Sequence, residues 1–453
     1  MRQFAIIQSN RDTLTSHSGL GLVGLAMNRH TSLSKDLATI ALRHGIAHAD
    51  CSKSYVGLLC TGKSDFDAIE TKRGNEFFKT ALAVQHVPSA PTLRQRFDEH
   101  ADAMMPWLDK ASIDFIANTR APITPIILRY GTSRPPIKRK YVPLDMDVFP
   151  MDNSGSKKEG VGYTYKGHDG YAPLAAYLGQ EGWCLACELR EGSQHSQKEF
   201  VHFLERVVPR AQRLTSHRLL ARLDSAHDAA ENRAWFTDRR VDFIIKWNPR
   251  KQNLAGWLVR AEEAAEWSFP RPGKRVGIFV ETVEETFAGE IRDFRRVIRV
   301  TERTIDKKGQ RLLVPEIILE GWWVSLGEVM CSNRSVIELY NDHATSEQFH
   351  SEFKTDLDIE RLPSGKFATN DLIMAHAVLT YNILRWIGLE GLMGEDAPVR
   401  HPAKRRRLRT VMQELIYVAA RVIESGRRLV LKFSRACPAF LSFEAVYHKL
   451  AAA

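Results

Sequence analysis

Cysteine is scarce in this sequence, with six residues in a chain of 453. So few thiols exclude the disulfide framework that stabilises small secreted proteins. Cys184 and Cys187 form one Cys-x-x-Cys pair, but a structural zinc site needs a second pair of ligands, which no segment offers at a suitable spacing. Because the surrounding WCLACELR also has the pattern of a buried strand, we predict a structural role for both cysteines and a reducing, cytoplasmic location.

Long apolar runs are also missing from the sequence. None reaches the roughly 18 residues that a membrane span requires, and the N-terminal MRQFAIIQSNRD lacks the charged-then-apolar pattern of a secretory signal. We therefore expect no membrane partner. Hydrophobic residues make up 44% and charged residues 26% of the chain, which is the composition of a globular protein with two or three domains and a sizeable core.

Acidic residues are outnumbered by basic ones. The chain has 64 Lys and Arg residues against 54 Asp and Glu residues, which gives a formal net charge of +10. Such an excess favours a polyanionic partner, and nucleic acid comes before an acidic membrane surface. The net charge indicates the kind of partner, but the reaction has to be inferred from particular residues.

Residues 1–130 have apolar positions at steps of three and four, which predicts a helical region. In the segment HVPSAPTLRQRF, Ser89 is expected to cap a new helix that has Pro91 in its first turn. Arg94 and Arg96 stand early in that helix. A helix, a short turn and a second helix with basic residues suggest helix-turn-helix binding of DNA. A plain helical bundle is the alternative.

Two aspartates follow a stretch rich in proline and basic residues, 120–143, which predicts a linker. Asp145 and Asp147 alternate along the short apolar run YVPLDMDVF, so a strand would place both carboxylates on one face. Carboxylates on an otherwise apolar strand are costly to bury unless they are paired or bind metal. The alternative is an exposed edge strand.

The elements that begin with this strand predict an α/β domain over residues 131–249. YAPLAAYLG and GWCLACELR predict two strands that complete an antiparallel meander with the Asp147 strand. A helix, the strand in RLLARLDSAHD, a second helix and the strand VDFIIKW give the order β-β-β-α-β-α-β. Asp224 stands just past the end of its strand, where α/β sheets usually carry catalytic groups.

Residues 250–335 are predicted to form a β-rich insertion, since VGIFVETV, RRVIRVTER and LLVPEIILEGWWVSL all have strand patterns. Residues 336–395 are expected to complete the core. They include DLIMAHAVLTYNILRWIGL, a long helix whose apolar residues lie nearly all round, so we predict that it is buried.

Four functional side chains recur at helical spacing in YNDHATSEQFHSEFK. Tyr340, His343, Glu347 and Lys354 follow one another at steps of three, four and seven residues, which places them on one face of a helix. One carboxylate flanked by a phenol, an imidazole and an ammonium suits metal-assisted phosphodiester chemistry. The alternative is a solvated helix face of mixed charge.

Residues 396–453 are predicted to form a basic helical tail. The segment HPAKRRRLR has five basic side chains within six residues, and they include Lys404, Arg405 and Arg406. We predict that these side chains bind the phosphate backbone of DNA, with a solvated helix start as the alternative. VMQELIYVAARVIES predicts an amphipathic helix after this cluster.

The order Asp, Asp, β-rich insertion and Tyr-x2-His-x3-Glu-x6-Lys resembles the pattern of DDE-class bacterial insertion-sequence transposases, whose signature is Tyr-x2-Arg-x3-Glu-x6-Lys. RLDSAHDAAENRAWFTDRRVDFIIKWNPR and FHSEFKTDLDIERLPSGKFATND look most like the insertion-sequence thirteen-eighty group, near the IS-four type. The resemblance covers about residues 85–390. It implies an α/β fold with an RNase H-like core, and a cytoplasmic, nucleoid-associated bacterial protein.

The resemblance also implies roles for single residues. Asp147, Asp224 and Glu347 would be the catalytic triad that holds two Mg²⁺ ions, with Mn²⁺ also possible for an all-carboxylate site. Asp147 is preferred to Asp145 because the family shows Asp-x-Asp-x-Thr with the second aspartate as ligand, although Phe149 replaces the Thr here.

The DNA contacts that the resemblance implies come from the helix face and the insertion. Tyr340 and Lys354 would contact phosphates near the cleaved end. His343 replaces the family's Arg and would be a weaker, pH-dependent phosphate ligand. Trp323, or its neighbour Trp322, would stack on a flipped base, and a core position is the alternative for both.

The predicted function is therefore a cut-and-paste DNA transposase. It would bind terminal inverted repeats in double-stranded DNA, cut both ends through a hairpin intermediate, and join them to target DNA as a homodimer. The alternative is a catalytically inactive or domesticated DNA-binding protein, which the changes at Phe149 and His343 keep open. A glycoside hydrolase with paired carboxylates explains neither the charge nor the Tyr-His-Glu-Lys face.

Overall fold

The computed structural model describes residues 6, 8, 9, 12–132, 134–426 and 428–452. The segment predicted to lack a secretory signal, MRQFAIIQSNRD, lies mostly outside these residues. The described chain is a mixed α/β protein in which one ten-stranded sheet and two three-stranded sheets are surrounded by helices.

The strands are labelled in chain order. They are β1 (Thr13–Thr15), β2 (Ile126–Tyr130), β3 (Ile137–Val148), β4 (Met151–Asp152), β5 (Gly162–Tyr163), β6 (Asp169–Tyr171), β7 (Leu174–Leu178), β8 (Trp183–Glu188), β9 (Arg218–Leu223), β10 (Asp242–Lys246), β11 (Glu266–Arg271), β12 (Lys274–Phe287), β13 (Glu290–Ile305), β14 (Arg311–Val324), β15 (Ala420–Ser425) and β16 (Arg428–Lys432).

The α-helices are labelled in the same way. They are α1 (Leu20–His30), α2 (Leu33–Leu37), α3 (His48–Leu59), α4 (Glu76–Ala81), α5 (Ala90–Asn118), α6 (Phe200–Leu214), α7 (Ala230–Asp238), α8 (Leu254–Ala264), α9 (Asn333–Asn341), α10 (Ser346–Ser351), α11 (Phe367–Gly391), α12 (Leu408–Val411) and α13 (Phe440–Ala452).

The centre of the large sheet has the predicted order β-β-β-α-β-α-β, as β3, β7, β8, α6, β9, α7 and β10. β3, β7 and β8 form the predicted antiparallel meander. β9 lies parallel to β3 on its other side, and β10 lies parallel to β9. Parallel neighbours need a crossover connection, which α7 supplies between β9 and β10.

The β-rich insertion continues this sheet. β11, β12, β13 and β14 are antiparallel neighbours, and β14 pairs with β10 from Ile244 opposite Val324 to Lys246 opposite Trp322. The predicted insertion is therefore joined to the core by backbone hydrogen bonds, and it also carries α8.

Helices α5 and α11 pack along each other beside the meander. Ser89 caps α5 as predicted, since its Oγ accepts from the N–H of Thr92 at 3.3 Å. By length and composition α11 could cross a membrane, but 94% of its most apolar window is buried in the protein. Its Asn382 side chain accepts from the N–H of Cys184 at 3.0 Å and donates to the carbonyl of the same residue at 2.7 Å.

Cys184 and Cys187 are both buried in β8, and both have free thiols. Burial raises the pKa of each thiol well above its ordinary value. Such thiols are neutral and inert at neutral pH, as a structural role requires.

The predicted linker at 120–143 is wrong. Residues 126–130 form β2 and pair with the first part of β3, with Ile126 opposite Tyr141. The basic residues that suggested a linker, Lys138 and Lys140, are exposed on the outer part of β3, whereas Tyr141 is buried. The region 1–130, predicted to be helical, therefore also contains β1 and β2.

The predicted helix VMQELIYVAARVIES is also wrong beyond its first part. A helical turn ends at Ile416, and Ala420–Ser425 form β15 instead. β15 pairs with β16 on one side and with β1, about 400 residues earlier, on the other. Local periodicity cannot report a partner so distant in the chain, and tertiary pairing overrides the helical pattern.

Candidate active site

Two strands of the central sheet have aspartates at the same edge of the sheet. Asp147 is the last residue but one of β3, and Asp224 directly follows β9. The two strands are parallel neighbours, with Met146 opposite Leu223. Because the carboxyl ends of parallel strands open at one edge of a sheet, the fold itself places the two carboxylates near each other.

Asp145 is occupied by an ion pair inside the protein. Nε and Nη2 of Arg222 donate to Oδ1 and Oδ2 of Asp145 at 2.6 and 2.7 Å, and both side chains are 4% exposed. Burial alone would raise the pKa of Asp145, but the charge of Arg222 holds it below its ordinary value. This pairing leaves Asp147 as the aspartate of β3 that is free to bind a ligand.

Asp147 has the opposite electrostatic environment. Its carboxylate accepts a hydrogen bond from the N–H of Val148 at 2.8 Å. Burial, followed by the negative charge of Asp224, raises the pKa of Asp147 to about 7, and Glu347 adds to the rise. A buried carboxylate that other carboxylates repel is stabilised by a cation that binds between them.

Asp224 is oriented by a turn of its own. Its Oδ1 accepts from the N–H of Ala226 at 3.1 Å and lies 2.9 Å from Nδ1 of His227. Burial opposes ionisation, but the hydrogen bond and charge of His227 lower the pKa of Asp224. His227 is fully buried against the ring of Phe200, with ring centroids 4.3 Å apart. The imidazole therefore positions a carboxylate that is 38% exposed.

The third acid comes from the helical segment after the insertion. This segment is not one regular helix, because a 3₁₀ turn (Asp342–Thr345) separates α9 from α10 and a π turn (Glu352–Asp356) follows α10. Glu347 is exposed in the first turn of α10. Asp147 and Glu347 line the same groove, so the structure brings the three predicted acids into one region.

This groove has a volume of about 460 Å³. It is lined by the end of β3, by α10 with the π turn, and by the turn between β5 and β6. Lys354 lies in its wall, where Nζ donates to the carbonyl of Pro150 at 2.9 Å and pairs with Glu360 at 3.1 Å. Its predicted phosphate contact stays a prediction.

Tyr340 and His343 face inward from the same segment. Burial and the charges of Asp224 and Asp147 raise the pKa of the Tyr340 phenol, which places it beside the acids. His343 is buried, and its Nδ1 lies 3.2 Å from Oδ1 of Asp145. In this arrangement its ring lies beside a carboxylate, and its predicted role as a phosphate ligand stays a prediction.

The change from Thr to Phe at position 149 has a local partner. The ring of Phe149 stacks on that of His350, with centroids 4.5 Å apart and planes 16° apart. Both residues are buried, and burial lowers the pKa of His350 to about 3. Phe149 therefore packs between β3 and α10. This packing sets the position of Asp147 relative to Glu347.

The predicted base-stacking role of Trp323 does not fit this conformation. Its side chain is 3% exposed, and two guanidinium groups contact its ring, Arg233 at 4.1 Å and Arg296 at 4.6 Å from the ring centroid. Trp322 is also buried. Because the Trp323 side chain is buried, its ring is not accessible to a base in this conformation.

The two predicted DNA-binding arginines of α5 point in different directions. Arg94 is exposed, with its guanidinium 5.6 Å from the ring centroid of Phe66. Arg96 is buried and donates to the carbonyl of Ile46 at 2.6 Å. Arg96 therefore holds the loop before α3 in place, and its predicted contact with DNA stays a prediction.

The basic cluster of the tail lies against α10. Arg405 donates to Oε1 of Gln348 at 2.7 Å and covers the ring of Phe349 at 4.4 Å. Arg406 donates to backbone carbonyls, including that of Leu392 at 3.0 Å. Lys404 and Arg405 line a small cavity beside Asp145. Arg406 is thus used structurally, whereas Lys404 and Arg405 stay candidates for phosphate binding.

The described residues hold no ready-made metal cage. Among them, no three His, Cys, Asp or Glu side chains converge closely enough to bind an ion as they stand. The chemistry of the donors nevertheless fits a hard divalent cation, because Asp147, Asp224 and Glu347 supply carboxylate oxygens. Their mutual repulsion, seen in the raised pKa of Asp147, is the kind that such an ion relieves.

The sequence did not predict the second wall of the groove. Tyr165, Lys166 and His168 line it from the turn between β5 and β6. The signal was present as YTYKGHDGY, where glycines mark a turn and aromatic and basic residues alternate. The sequence of this segment alone does not show that its turn lies beside carboxylates from β3 and α10.

Comparison with known proteins gives a family. The chain matches the family described as Transposase DDE domain group 1 over residues 7–453. No curated protein matches the chain. Among solved structures, the chain is similar to a piggyBac transposase in a synaptic complex with hairpin DNA, at 9% identity and a TM-score of 0.40, covering 89% of this chain and 80% of that one. Since the family match extends over nearly the whole sequence, the chain belongs to the DDE-domain transposases of group 1.

Proposed function

We propose that this protein is the transposase of an insertion sequence. It binds the terminal inverted repeats of double-stranded DNA, cuts the phosphodiester backbone there, and joins the freed 3′ ends to target DNA. One observation carries the proposal: Asp147 and Glu347 line one groove, and Asp224 lies near enough for its charge to raise the pKa of Asp147, in a chain with a net charge of +10. Membership of a DDE transposase family agrees with it.

Asp147, Asp224 and Glu347 would hold two Mg²⁺ ions, or Mn²⁺ ions in their place. When bound, such ions activate the attacking oxygen and stabilise the leaving oxygen at phosphorus. The chain contributes the positions of its carboxylates. His227 orients Asp224, and the Arg222 pair keeps Asp145 from competing for the ions.

The fold supports further parts of the proposal. The sheet order β8-β7-β3-β9-β10, with aspartates at the ends of β3 and β9, supports the proposal of an RNase H-like core. We assign 131–249 and 336–395 to that core, 250–335 to the insertion, and 1–130 and 396–453 to the flanking regions. A homodimer would handle two ends together, and a hairpin would be the excision intermediate, as in the predicted thirteen-eighty group.

The test uses a plasmid that carries the gene with its native flanking sequences. Purified protein is incubated with Mg²⁺, or with EDTA, and all new 3′ ends are mapped. We expect metal-dependent cuts at two inverted repeats, no cuts with Asp224→Asn or Glu347→Gln, and retained binding of the ends by both variants. Binding without any cut by the wild type would favour the inactive DNA-binding alternative. Full cleavage by either variant would refute the assigned triad.

A further inference from the structure

A small hairpin forms the second wall of the groove, and we call it the flap (residues 162–171, from β5 to β6). Its turn is held by internal bonds. The N–H and the hydroxyl of Thr164 donate to the carbonyl of His168 at 2.9 and 2.8 Å, and the N–H of Gly167 donates to the carbonyl of Thr164 at 3.0 Å. Gly167 has φ +84°, which a glycine adopts without strain. The tip of the flap is thus a defined turn.

The tip lies over the carboxylates of the groove. The hydroxyl of Tyr165 donates to the carbonyl of Val148 at 3.3 Å, directly after Asp147 in β3. Burial of this hydroxyl, followed by the charges of Asp147, Asp224 and Glu347, raises the pKa of Tyr165. The side chain as a whole is nevertheless 66% exposed. One end of the ring is anchored at the acids while most of the ring faces solvent.

The flap tip combines an aromatic face with a cation. The ammonium of Lys166 lies 5.5 Å from the centroid of the Tyr165 ring, and both side chains are exposed in the groove wall. Proteins that hold a single nucleic-acid strand combine aromatic rings, which stack on bases, with basic side chains, which follow the phosphates. Trp323, the aromatic residue predicted for stacking, is buried and does not line the groove, whereas Tyr165 lines it and is exposed.

We propose that the flap holds the DNA strand that enters the groove. Tyr165 stacks on a base next to the scissile phosphate, and Lys166 binds a phosphate of the same strand, on the wall opposite Lys354. The partner is a locally unpaired DNA strand, because a base within a duplex has no free face for a ring. The inference rests on the proposed function, since the flap would hold the DNA strand that the proposed active site cuts.

The flap offers its own matched controls. Tyr163 is 68% exposed in β5, and Lys157 is exposed just before the flap, but neither lines the groove. Mg²⁺-dependent cleavage of end duplexes is measured for Tyr165→Ala, Tyr165→Phe and Lys166→Ala, with Tyr163→Ala and Lys157→Ala as controls. We expect kcat/KM to fall about tenfold or more for Tyr165→Ala, to be restored by Tyr165→Phe, and to stay within about twofold for both controls. Thermal unfolding checks that each variant is folded.

A second measurement does not depend on cleavage. A single-stranded oligonucleotide in which thymines are replaced by 5-iodouracil is irradiated with the full-length protein, and crosslinked peptides are identified. We expect a crosslink at Tyr165 and weaker binding of this strand by Lys166→Ala. If the wild type does not cut DNA but the crosslink forms, the proposed function fails and the strand site stands. If the wild type cuts DNA while the Tyr165 and Lys166 variants behave like their controls, the flap proposal is refuted alone. Absence of both cleavage and crosslink refutes both proposals.

Discussion

The guanidinium of Arg222 holds the carboxylate of Asp145 with two hydrogen bonds, from Nε at 2.6 Å and from Nη2 at 2.7 Å. Two residues further along the same strand face, Asp147 has no ion pair among the described residues and is repelled by Asp224. One strand therefore carries a neutralised aspartate and a destabilised one. The first stabilises the fold, and the second is available to a cation.

This difference predicts opposite effects of two similar substitutions. Asp145→Asn leaves the buried Arg222 charge without its partner, so we expect the free energy of unfolding to fall by about 3–5 kcal/mol. Asp147→Asn removes a repelled carboxylate, so the metal-free protein at pH 8 should be as stable as the wild type or more stable. Urea unfolding measures both. A larger loss of stability for Asp147→Asn than for Asp145→Asn would contradict the assignment.

The buried position of Trp323 predicts that its substitution lowers the stability of the fold rather than the affinity for DNA. Trp323→Ala removes a large buried ring that contacts the guanidinium groups of Arg233 and Arg296, and we expect a loss of about 3–5 kcal/mol in the free energy of unfolding. Trp323→Phe should retain part of that stability. End binding by the folded fraction should stay near that of the wild type in a gel-shift titration. Weakened binding with unchanged stability would restore the stacking role.

We expect two basic residues of the tail to have different roles, one in DNA binding and the other in stability. Lys404 lines an open cavity beside α10, whereas Arg407 donates to both carboxylate oxygens of the buried Asp356. Lys404→Ala should weaken DNA binding and reduce the slope of log K against log salt by about 1. Arg407→Ala should mainly lower the free energy of unfolding. Equal salt slopes for Lys404→Ala and the wild type would remove Lys404 from the DNA interface.

A buried histidine predicts how stability depends on pH. His376 in α11 is fully buried, lies 2.7 Å from the hydroxyl of Ser52, and has its pKa lowered by burial to about 4. Between about pH 4 and 6.5 the unfolded chain binds a proton at this position that the folded chain does not. Stability should therefore rise with pH across this window.

His376→Gln should reduce that rise, although other buried histidines, such as His350, will retain part of it. His202→Gln is the matched control, because the side chain of His202 is 80% exposed. Chemical unfolding at pH 4.5 and at pH 7 for the three proteins gives the difference directly. An unchanged difference for His376→Gln would show that this imidazole is not neutral in the fold.

The sequence predicts the parts of the site that depend on short-range order. Period-two alternation places Asp145 and Asp147 on one strand face, and the functional spacing in residues 340–354 locates the segment that carries Glu347. The end of an apolar strand locates Asp224. These patterns need only the local backbone, and the structure brings Asp147 and Glu347 to one groove, with Asp224 close enough to act on Asp147 by its charge. The family match confirms a DDE transposase, and the thirteen-eighty assignment stays a prediction.

The sequence could not predict which polar and aromatic side chains are already bound to partners inside the protein. Arg96, His343 and Trp323 all have the chemistry of a DNA contact, yet each is buried against a partner from a distant segment. The strand at 420–425 depends on β1 in the same way. Hydropathy and spacing report which face of an element is apolar, but not which charge or carbonyl that face meets.

The insertion joins the central sheet along β14 and β10, while its far hairpin, between β13 and β14, lies in solvent. Leu313 and Val314 beside that hairpin are 103% and 75% exposed. Since β12 pairs with β13 as far as Arg303, only the turn and the residues beside it extend beyond the paired strands, and a change of length there leaves the register of the sheet unchanged. The length of this hairpin is therefore independent of the positions of Asp147, Asp224 and Glu347.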